Sequence, residues 1–240
     1  MKAMILAAGL GSRLMPLTRT IPKALVLFRQ KPILEHLILR LKQAGITEII
    51  INVHHFPGQI TDFLQEKRFF DIRIEISFEQ DLLDTGGGLK KAQWFFDDGQ
   101  PLLLHNVDVV SNLDINRMLE HHLHKNSLAT LAVRSRSTSR FLLFDADDRL
   151  IGWEDQSLQQ QKIMVPFSAE PRSFSFMGIH IISPGIFAHL PQAQKFSIIT
   201  AYLDLAAQRK AICAFNADGF SWADLGRLQN LRAAEQDQNS

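Results

Sequence analysis

The sequence predicts an α/β sandwich on a mainly parallel, mixed sheet. In the first half of the chain, short apolar runs alternate with amphipathic stretches of helical spacing. After about Leu128 the pattern changes to short strand-like runs with little helix between them. The 240 residues, 46% hydrophobic and 21% charged, can bury a sizeable core, and that composition excludes disorder, collagen or coiled coil as the main organisation. Strands alternating with helices of about ten residues imply right-handed βαβ units, hence the parallel sheet.

Taken in order, Ala3 to Ala8 is a strand followed by a Gly- and Pro-rich loop up to Pro32. Ile33 to Gln43 has helical spacing at Leu34, Leu37, Ile38 and Leu41, and Gly45 stops it. Glu48 to Val53 is a second strand, Pro57 to Gln65 a helix and Ile72 to Phe78 a strand by alternation. Thr85 to Phe95 is helical after a Gly-rich start, Pro101 to Asn106 a buried strand and Met118 to His124 a helix. Leu128 to Val133, Phe141 to Phe144 and Arg149 to Trp153 are strands, and the polar stretch Gln156 to Arg172 is a loop. Phe174 to Ile182 is a strand, Pro184 to Leu190 and Ser197 to Gln208 are helices, and Ala211 to Phe215 is a late strand. The expected organisation is one domain over 1–240: a first half (1–127) nucleotide-binding in style, a mixed second half (128–233) and a frayed polar tail (234–240).

Charge and cysteine content narrow the partners. With 26 Lys and Arg against 25 Asp and Glu, the net charge of +1 gives no basic face for nucleic acid or a membrane surface. The lone Cys213, in an apolar run, excludes an intrachain disulfide and reads as a buried structural thiol. The apolar run at the N-terminus is too short for a signal or a membrane span, so a cytoplasmic protein is expected. His121, His122 and His124 are expected to be solvated on a surface helix, and Trp94, Phe95 and Phe96 to be core or interface. His54 and His55 end a strand near the presumed active edge, and Arg134, Arg136 and Arg140 read equally as phosphate contacts or exposed strand residues.

The strongest chemical signal is Leu6-Ala7-Ala8-Gly9-Leu10-Gly11-Ser12-Arg13, followed by Pro22-Lys23. A strand ending in small residues lets a ligand approach the backbone, and exposed N–H groups there form an anion-binding concavity. Arg13 adds a planar fork of donors and Lys23 a point charge, a pairing suited to polyphosphate. Two familiar phosphate loops fail: a GxGxxG fingerprint needs glycine where Leu14 stands, and no Gly-Lys-Ser/Thr follows for a Walker loop.

This run, LAAGLGSRLMPLT with the later Pro-Lys, resembles the signature of the sugar-1-phosphate nucleotidyltransferases. The resemblance continues through Ile33-Leu34-Glu35-His36, Ile49 to His54, Asp84-Thr85-Gly86-Gly87-Gly88, Leu102 to Asp108 and Trp222-Ala223-Asp224-Leu225-Gly226, and so covers about Met1 to Leu231. The compact relatives fit best, the N-acetylmuramate-1-phosphate uridylyltransferases and short proteins labelled mannose-1-phosphate guanylyltransferases. Two departures stand out. Val107 replaces the family's usual glycine before the first aspartate, and Gly152-Trp153-Glu154-Asp155 occupies the place of its Glu-Lys-Pro.

The resemblance implies a Rossmann-like three-layer sandwich and a Mg²⁺-dependent enzyme of nucleotide-sugar biosynthesis, supplying a cell-wall or surface-polysaccharide precursor. The 1-phosphate of a sugar would attack the α-phosphorus of a nucleoside triphosphate, releasing pyrophosphate. Arg13 and Lys23 would be catalytic, and Asp108 and Asp224 the metal ligands. Leu6, Ala7, Ala8, Gly9, Gly11, Glu79, Thr85 and Gly86 would bind the nucleotide, and Glu154 and Gly178 the acceptor. A carboxylate at Glu79 could accept from guanine or from uracil, so it leaves the base open. The preferred pair is UTP with an N-acetylmuramate-type sugar 1-phosphate. The alternatives are GTP with a mannose- or heptose-type phosphate, a cytidylyltransferase acting on a phosphorylated alcohol, and a catalytically silent nucleotide-sugar sensor. The oligomeric state stays open.

Overall fold

Residues 1–167 and 169–236 are described by a computed structural model. The parallel half contains β1 (Ala3–Leu6), the short pair β2 (Leu27–Phe28) and β3 (Lys31–Pro32), α1 (Ile33–Gln43), β4 (Glu48–Val53), α2 (Pro57–Glu66), β5 (Arg73–Phe78), α3 (Asp84–Lys91) and β6 (Leu102–Asn106). Then come β7 (Val109–Ser111), α4 (Ile115–His124), β8 (Ala129–Arg134), β9 (Arg140–Phe144), β10 (Leu150–Asp155), β11 (Gln160–Ile163) and β12 (Arg172–Ile182). The described chain closes with α5 (Ile198–Ala207), β13 (Ile212–Asn216), β14 (Trp222–Asp224) and α6 (Leu228–Gln236).

Among the described residues, one sheet has ten strands. β5, β4, β1 and β6 lie side by side and parallel, the direct product of consecutive βαβ units. β12 then pairs antiparallel with β6, β8 and β9, and β13 joins β8 in parallel. Only β12 and β10 run against the other strands, so the sheet is mostly parallel in direction. β12, eleven residues long, is shared by the two halves and makes them one sheet.

Side chains alternate across the strands, and each face is covered by helices. Ala3 and Ile5 of β1 pack with Leu34, Leu37 and Leu41 of α1 and Leu64 of α2. Met4 and Leu6 face the other way, with Leu89 of α3 and Tyr202 of α5. The three-layer α/β expectation therefore holds. No described helix is long and apolar enough to cross a membrane.

Local expectations differ from the structure in five places. The expected loop 156–172 contains β11, whose four residues are all exposed and so carry no apolar alternation. The expected helix over 85–95 ends at Lys91 and continues as a 3₁₀ turn, and 184–190 is likewise a 3₁₀ turn, Pro184–His189. His122 is buried rather than solvated, because Nδ1 meets Thr130 Oγ1 and Nε2 meets Ser183 Oγ, each at 2.9 Å. The expected tail starts too early, since α6 runs to Gln236; residues 237–240 lie outside the described residues.

Candidate active site

The loop after β1 is shaped by Gly11. Its φ of 66° is left-handed, and a Cβ there would lie 2.8 Å from Thr18 Cγ2 and 3.1 Å from Lys23 Cβ. Only glycine fits such a position without strain. The Gly11 carbonyl accepts from both the Leu14 N–H and the Thr18 hydroxyl, each at 2.8 Å, which folds the loop back onto Lys23. Gly9 is different. A Cβ there would meet only Lys23 Nζ, at 3.8 Å, so its smallness leaves the surface open to a ligand.

Lys23 points to the end of β6, where its Nζ lies 2.9 Å from Asp108 Oδ2, both side chains being nearly buried. The second carboxylate arrives from 116 residues further on, through the ribbon β7–β14, which sets Asp224 opposite Val109. Leu225 N–H donates to the Asp108 carbonyl (2.7 Å) and Gly226 N–H to Asp224 Oδ1 (2.8 Å), fixing both residues. One point shows the convergence. A Cβ on Gly226 would lie 2.2 Å from Asp108 Oδ2, 2.9 Å from Asp224 Oδ1 and 3.3 Å from Arg13 Nη2. Two carboxylates, an arginine and a lysine thus share one small volume. Val107 does not disturb it, because its side chain is fully buried in the core and its N–H still donates to the Leu6 carbonyl.

Glu79 sits deeper than a base-reading side chain would. It is 1% exposed, and its carboxylate accepts from Asn52 Nδ2 (2.7 Å) and from Leu83 N–H (3.0 Å). Asn52 Oδ1 in turn accepts from Ala7 N–H at 2.7 Å. His54 Nδ1 lies 2.9 Å from the Glu79 carbonyl. The chain Ala7–Asn52–Glu79–Leu83 ties the glycine loop to the loop before α3. Both Glu79 oxygens are already engaged, so its geometry is that of a positioning group.

A cleft of about 380 Å³ collects most of the predicted residues. Leu6, Ala8, Gly9, Arg13, Lys23, Glu79, Thr85 and Asp108 line it. Ala7, Gly11 and Gly86 support it from behind. Gly86 is buried, its N–H donates to the Phe196 carbonyl at 3.0 Å, and a Cβ there would strike the Phe196 ring at 2.3 Å. Gly87 is equally tight, with Gln194 O only 2.1 Å from a built Cβ. The glycine run therefore lets α3 pack closely against segment 194–196. Gly178 (φ 81°) packs against the Asn106 amide beside the cleft. Glu154 is not brought to the cleft: it pairs with Gln156 in the β10–β11 hairpin.

The structure adds Asn52, Asn106 and Lys195 to the expected site residues and gives Arg136, left open between a phosphate contact and an exposed strand residue, its surroundings. Asn52, Asn106 and Lys195 line the cleft, and Arg136 stacks over the Trp222 ring at 4.5 Å beside Asp224. Burial lowers the Arg136 pKa from its ordinary value, and the nearby Asp224 charge opposes that shift. Segment 195–200 also connects the cleft to a hollow of about 520 Å³ walled by Arg140, Trp153, Lys162, Phe176 and Ser197. Ile198 N–H donates to Thr85 Oγ1 (3.0 Å), which locks that segment to α3. A motif signal marked Asn52 and Gly226, whereas nothing in local sequence marks Lys195.

Two converging carboxylates without a third His, Cys, Asp or Glu beside them, among the described residues, are a poor cage for zinc or calcium. They suit Mg²⁺, which takes one or two carboxylates and completes its shell with water and phosphate. The adjoining cations complement polyphosphate.

The chain is similar to known proteins in sequence and in fold. A UTP–glucose-1-phosphate uridylyltransferase from Synechocystis is 28% identical over 95% of the chain, and mannose-1-phosphate guanyltransferase beta-A of Xenopus laevis is 32% identical over 96%. The chain spans about three-fifths of the length of these relatives, 61% and 62% respectively. Two solved structures share the fold: a glucose-1-phosphate thymidylyltransferase described as putative, from Bacillus anthracis, and HddC from Yersinia pseudotuberculosis complexed with GMP-PN. The first has a TM-score of 0.80 and 21% identity over 98% of this chain and 93% of that one. The second has a TM-score of 0.78 and 22% identity over 98% of both chains. Residues 2–240 match the sequence pattern of the family described as nucleotidyl transferase, and the chain belongs to that family.

Proposed function

We propose that the chain transfers a nucleoside monophosphate from a nucleoside triphosphate to a sugar 1-phosphate, releasing pyrophosphate. The observation that carries this reading is the convergence of Asp108, Asp224 and Arg13 around Gly226, with Lys23 on Asp108. A sugar 1-phosphate is already anionic near neutral pH, so attack at the α-phosphorus needs no general base from the protein. What the protein must supply is alignment and neutralisation of charge.

Asp108 and Asp224 would hold Mg²⁺, which when bound supplies charge neutralisation at phosphate oxygens. Arg13, beside that point, takes charge developing on the departing pyrophosphate. Lys23 balances Asp108 and reaches the α-phosphate from the same place. Leu6, Ala8 and Gly9 offer low walls to the nucleoside, and Thr85 closes that side of the cleft. Lys195, at the join between cleft and hollow, is placed for the acceptor phosphate. Residues 1–127 thus act as the nucleotide half and 128–233 as the acceptor half, with Asp224 crossing between them.

The finer reading pairs UTP with an N-acetylmuramate-type sugar 1-phosphate. The hollow supports it: Trp153, Phe176 and Leu203 offer apolar walls for an acyl group, and Lys162 offers a cation for a carboxylate beside Arg140, whose Nε is held by Asp155 at 2.9 Å. A guanylyltransferase on mannose- or heptose-type phosphates is the second reading, its mannose form favoured by the similarity to the Xenopus mannose-1-phosphate guanyltransferase. The test is pyrophosphate release across four nucleoside triphosphates and several sugar 1-phosphates, with Asp108→Asn as control. Release with one pair, lost in the variant, is expected. Nucleotide binding without release from any pair would favour a silent sensor and overturn the enzymatic reading.

A further inference from the structure

A separate cavity of about 300 Å³ lies between α1 and the β6–β7 segment, walled in part by His36, Leu39, Arg40, His105 and Ser111. It is on the opposite face of the sheet from the cleft, since His105 alternates with Asn106 along β6. Arg40 is a cation without a carboxylate partner among the described residues. Its Nη2 donates to the carbonyls of Asn112 (3.2 Å) and Leu113 (2.9 Å), and its Nε is buried with no partner. His105 Nδ1 lies 2.8 Å from the Asn106 carbonyl, and burial lowers the ring's pKa to about 4. The neutral ring donates there and keeps Nε2 as a lone-pair acceptor. Such a wall asks for a ligand with one anionic group and one hydroxyl. The volume is at the lower end for small-molecule sites, which suits a single ring or short chain and not a nucleotide-sugar.

We propose that this cavity binds a small hydroxylated anion, a sugar monophosphate or a hydroxycarboxylate, with its anionic group on Arg40 and a hydroxyl donating to His105. Its occupant would touch β6 and β7, the strands on either side of Asp108. β7 carries β14 and Asp224, and Ser111 Oγ donates to the Ser221 carbonyl at 2.6 Å. Binding here is therefore linked to binding in the cleft, a link that rests on the proposed function, whereas the site itself does not.

Calorimetric titration of the whole chain with a hexose 6-phosphate, with lactate and with inorganic phosphate tests it. One hydroxylated anion is expected to bind the wild type and Arg13→Ala alike, and about tenfold or more weakly to Arg40→Gln. Leu39→Phe adds bulk to the wall without touching the hydrogen bonds of Arg40, and should weaken binding similarly if Arg40→Gln fails to fold. The hexose phosphate and lactate arms decide which of the two sources is preferred. No binding, loss of binding in Arg13→Ala, or equal affinity for inorganic phosphate overturns the site. Saturating Mg²⁺ and nucleoside triphosphate should change the affinity by about fivefold or more. An unchanged affinity overturns the link.

Discussion

At Gly226 one methyl group is enough to disturb the proposed centre. A Cβ would sit 2.2 Å from Asp108 Oδ2, closer than any non-bonded contact allows, so Gly226→Ala must push that carboxylate or the ribbon aside. Displacement of about an ångström at a positioning group costs on the order of 100-fold. Gly226→Ala should lose about that much kcat while retaining its melting temperature, read by steady-state pyrophosphate release beside a thermal melt. Asp108→Asn and Asp224→Asn should each lose about a thousandfold or more at unchanged fold. Full activity in either would remove the carboxylate pair from the chemistry. Glu79 makes a sharper prediction, because a base reader and a positioning group fail differently. Glu79→Gln puts an amide where Asn52 and Leu83 both donate, leaving one buried donor unpaired, a loss of about 1–3 kcal/mol. The expected result is a lower urea midpoint and a higher KM for the triphosphate with base preference unchanged. A switch of preferred base would show that Glu79 reads the base after all.

Elements differ in how openly the sequence declares them. α1 and β4 match their expected bounds residue for residue, because a helix stripe and a doubly buried strand leave complete apolar patterns. β7 and β14 have three residues each, too few for any period, yet they carry Asp224 to Asp108. The pair of carboxylates was legible only through motif resemblance, and the ribbon joining them not at all. α3 shows a different case, a helix whose expected span runs past its end at Lys91 and whose glycines pack against a distant segment that no local pattern marks. Gly86 and Gly87 admit segment 194–196, whose Phe196 N–H donates to the Leu83 carbonyl at 3.2 Å. Gly87→Ala would set a methyl 2.1 Å from Gln194 O and lift that segment from α3. Because Lys195 belongs to it and Ser197 follows it directly, the variant should raise KM for the sugar phosphate more than KM for the triphosphate. Equal changes in both would place the segment outside the acceptor path.

Across the whole molecule, the mixed half is held by buried polar groups that the composition conceals. His180 on β12 meets the Tyr202 hydroxyl of α5 at 2.9 Å, His122 of α4 spans Thr130 and Ser183, and His105 sits on β6, the strand of the parallel half that pairs with β12. A histidine on a helix or a strand looks solvated in a sequence, because its burial depends on partners 8 to 61 residues away. Burial holds His180 near a pKa of about 3, and His105 and His122 near about 4, all below the ordinary 6.5. The sign follows directly. Between those values and 6.5 the unfolded chain binds protons that the folded chain refuses, so stability is complete above about pH 6.5 and falls as the pH drops. Each histidine contributes a slope of up to about 1.4 kcal/mol per pH unit in that window. The carboxylates do not confuse it: Asp97, Asp155 and Asp218 have lowered pKa values, so their losses begin only near and below 3.8. Urea midpoints should therefore be level from pH 8 to 7 and drop steeply between 6 and 4.5. His122→Asn removes one titrating group while keeping a polar side chain between Thr130 and Ser183, and should flatten the drop. A midpoint at pH 5 equal to that at pH 7.5 would mean these histidines accept protons in the folded chain, and the buried network would no longer explain how the mixed half is held.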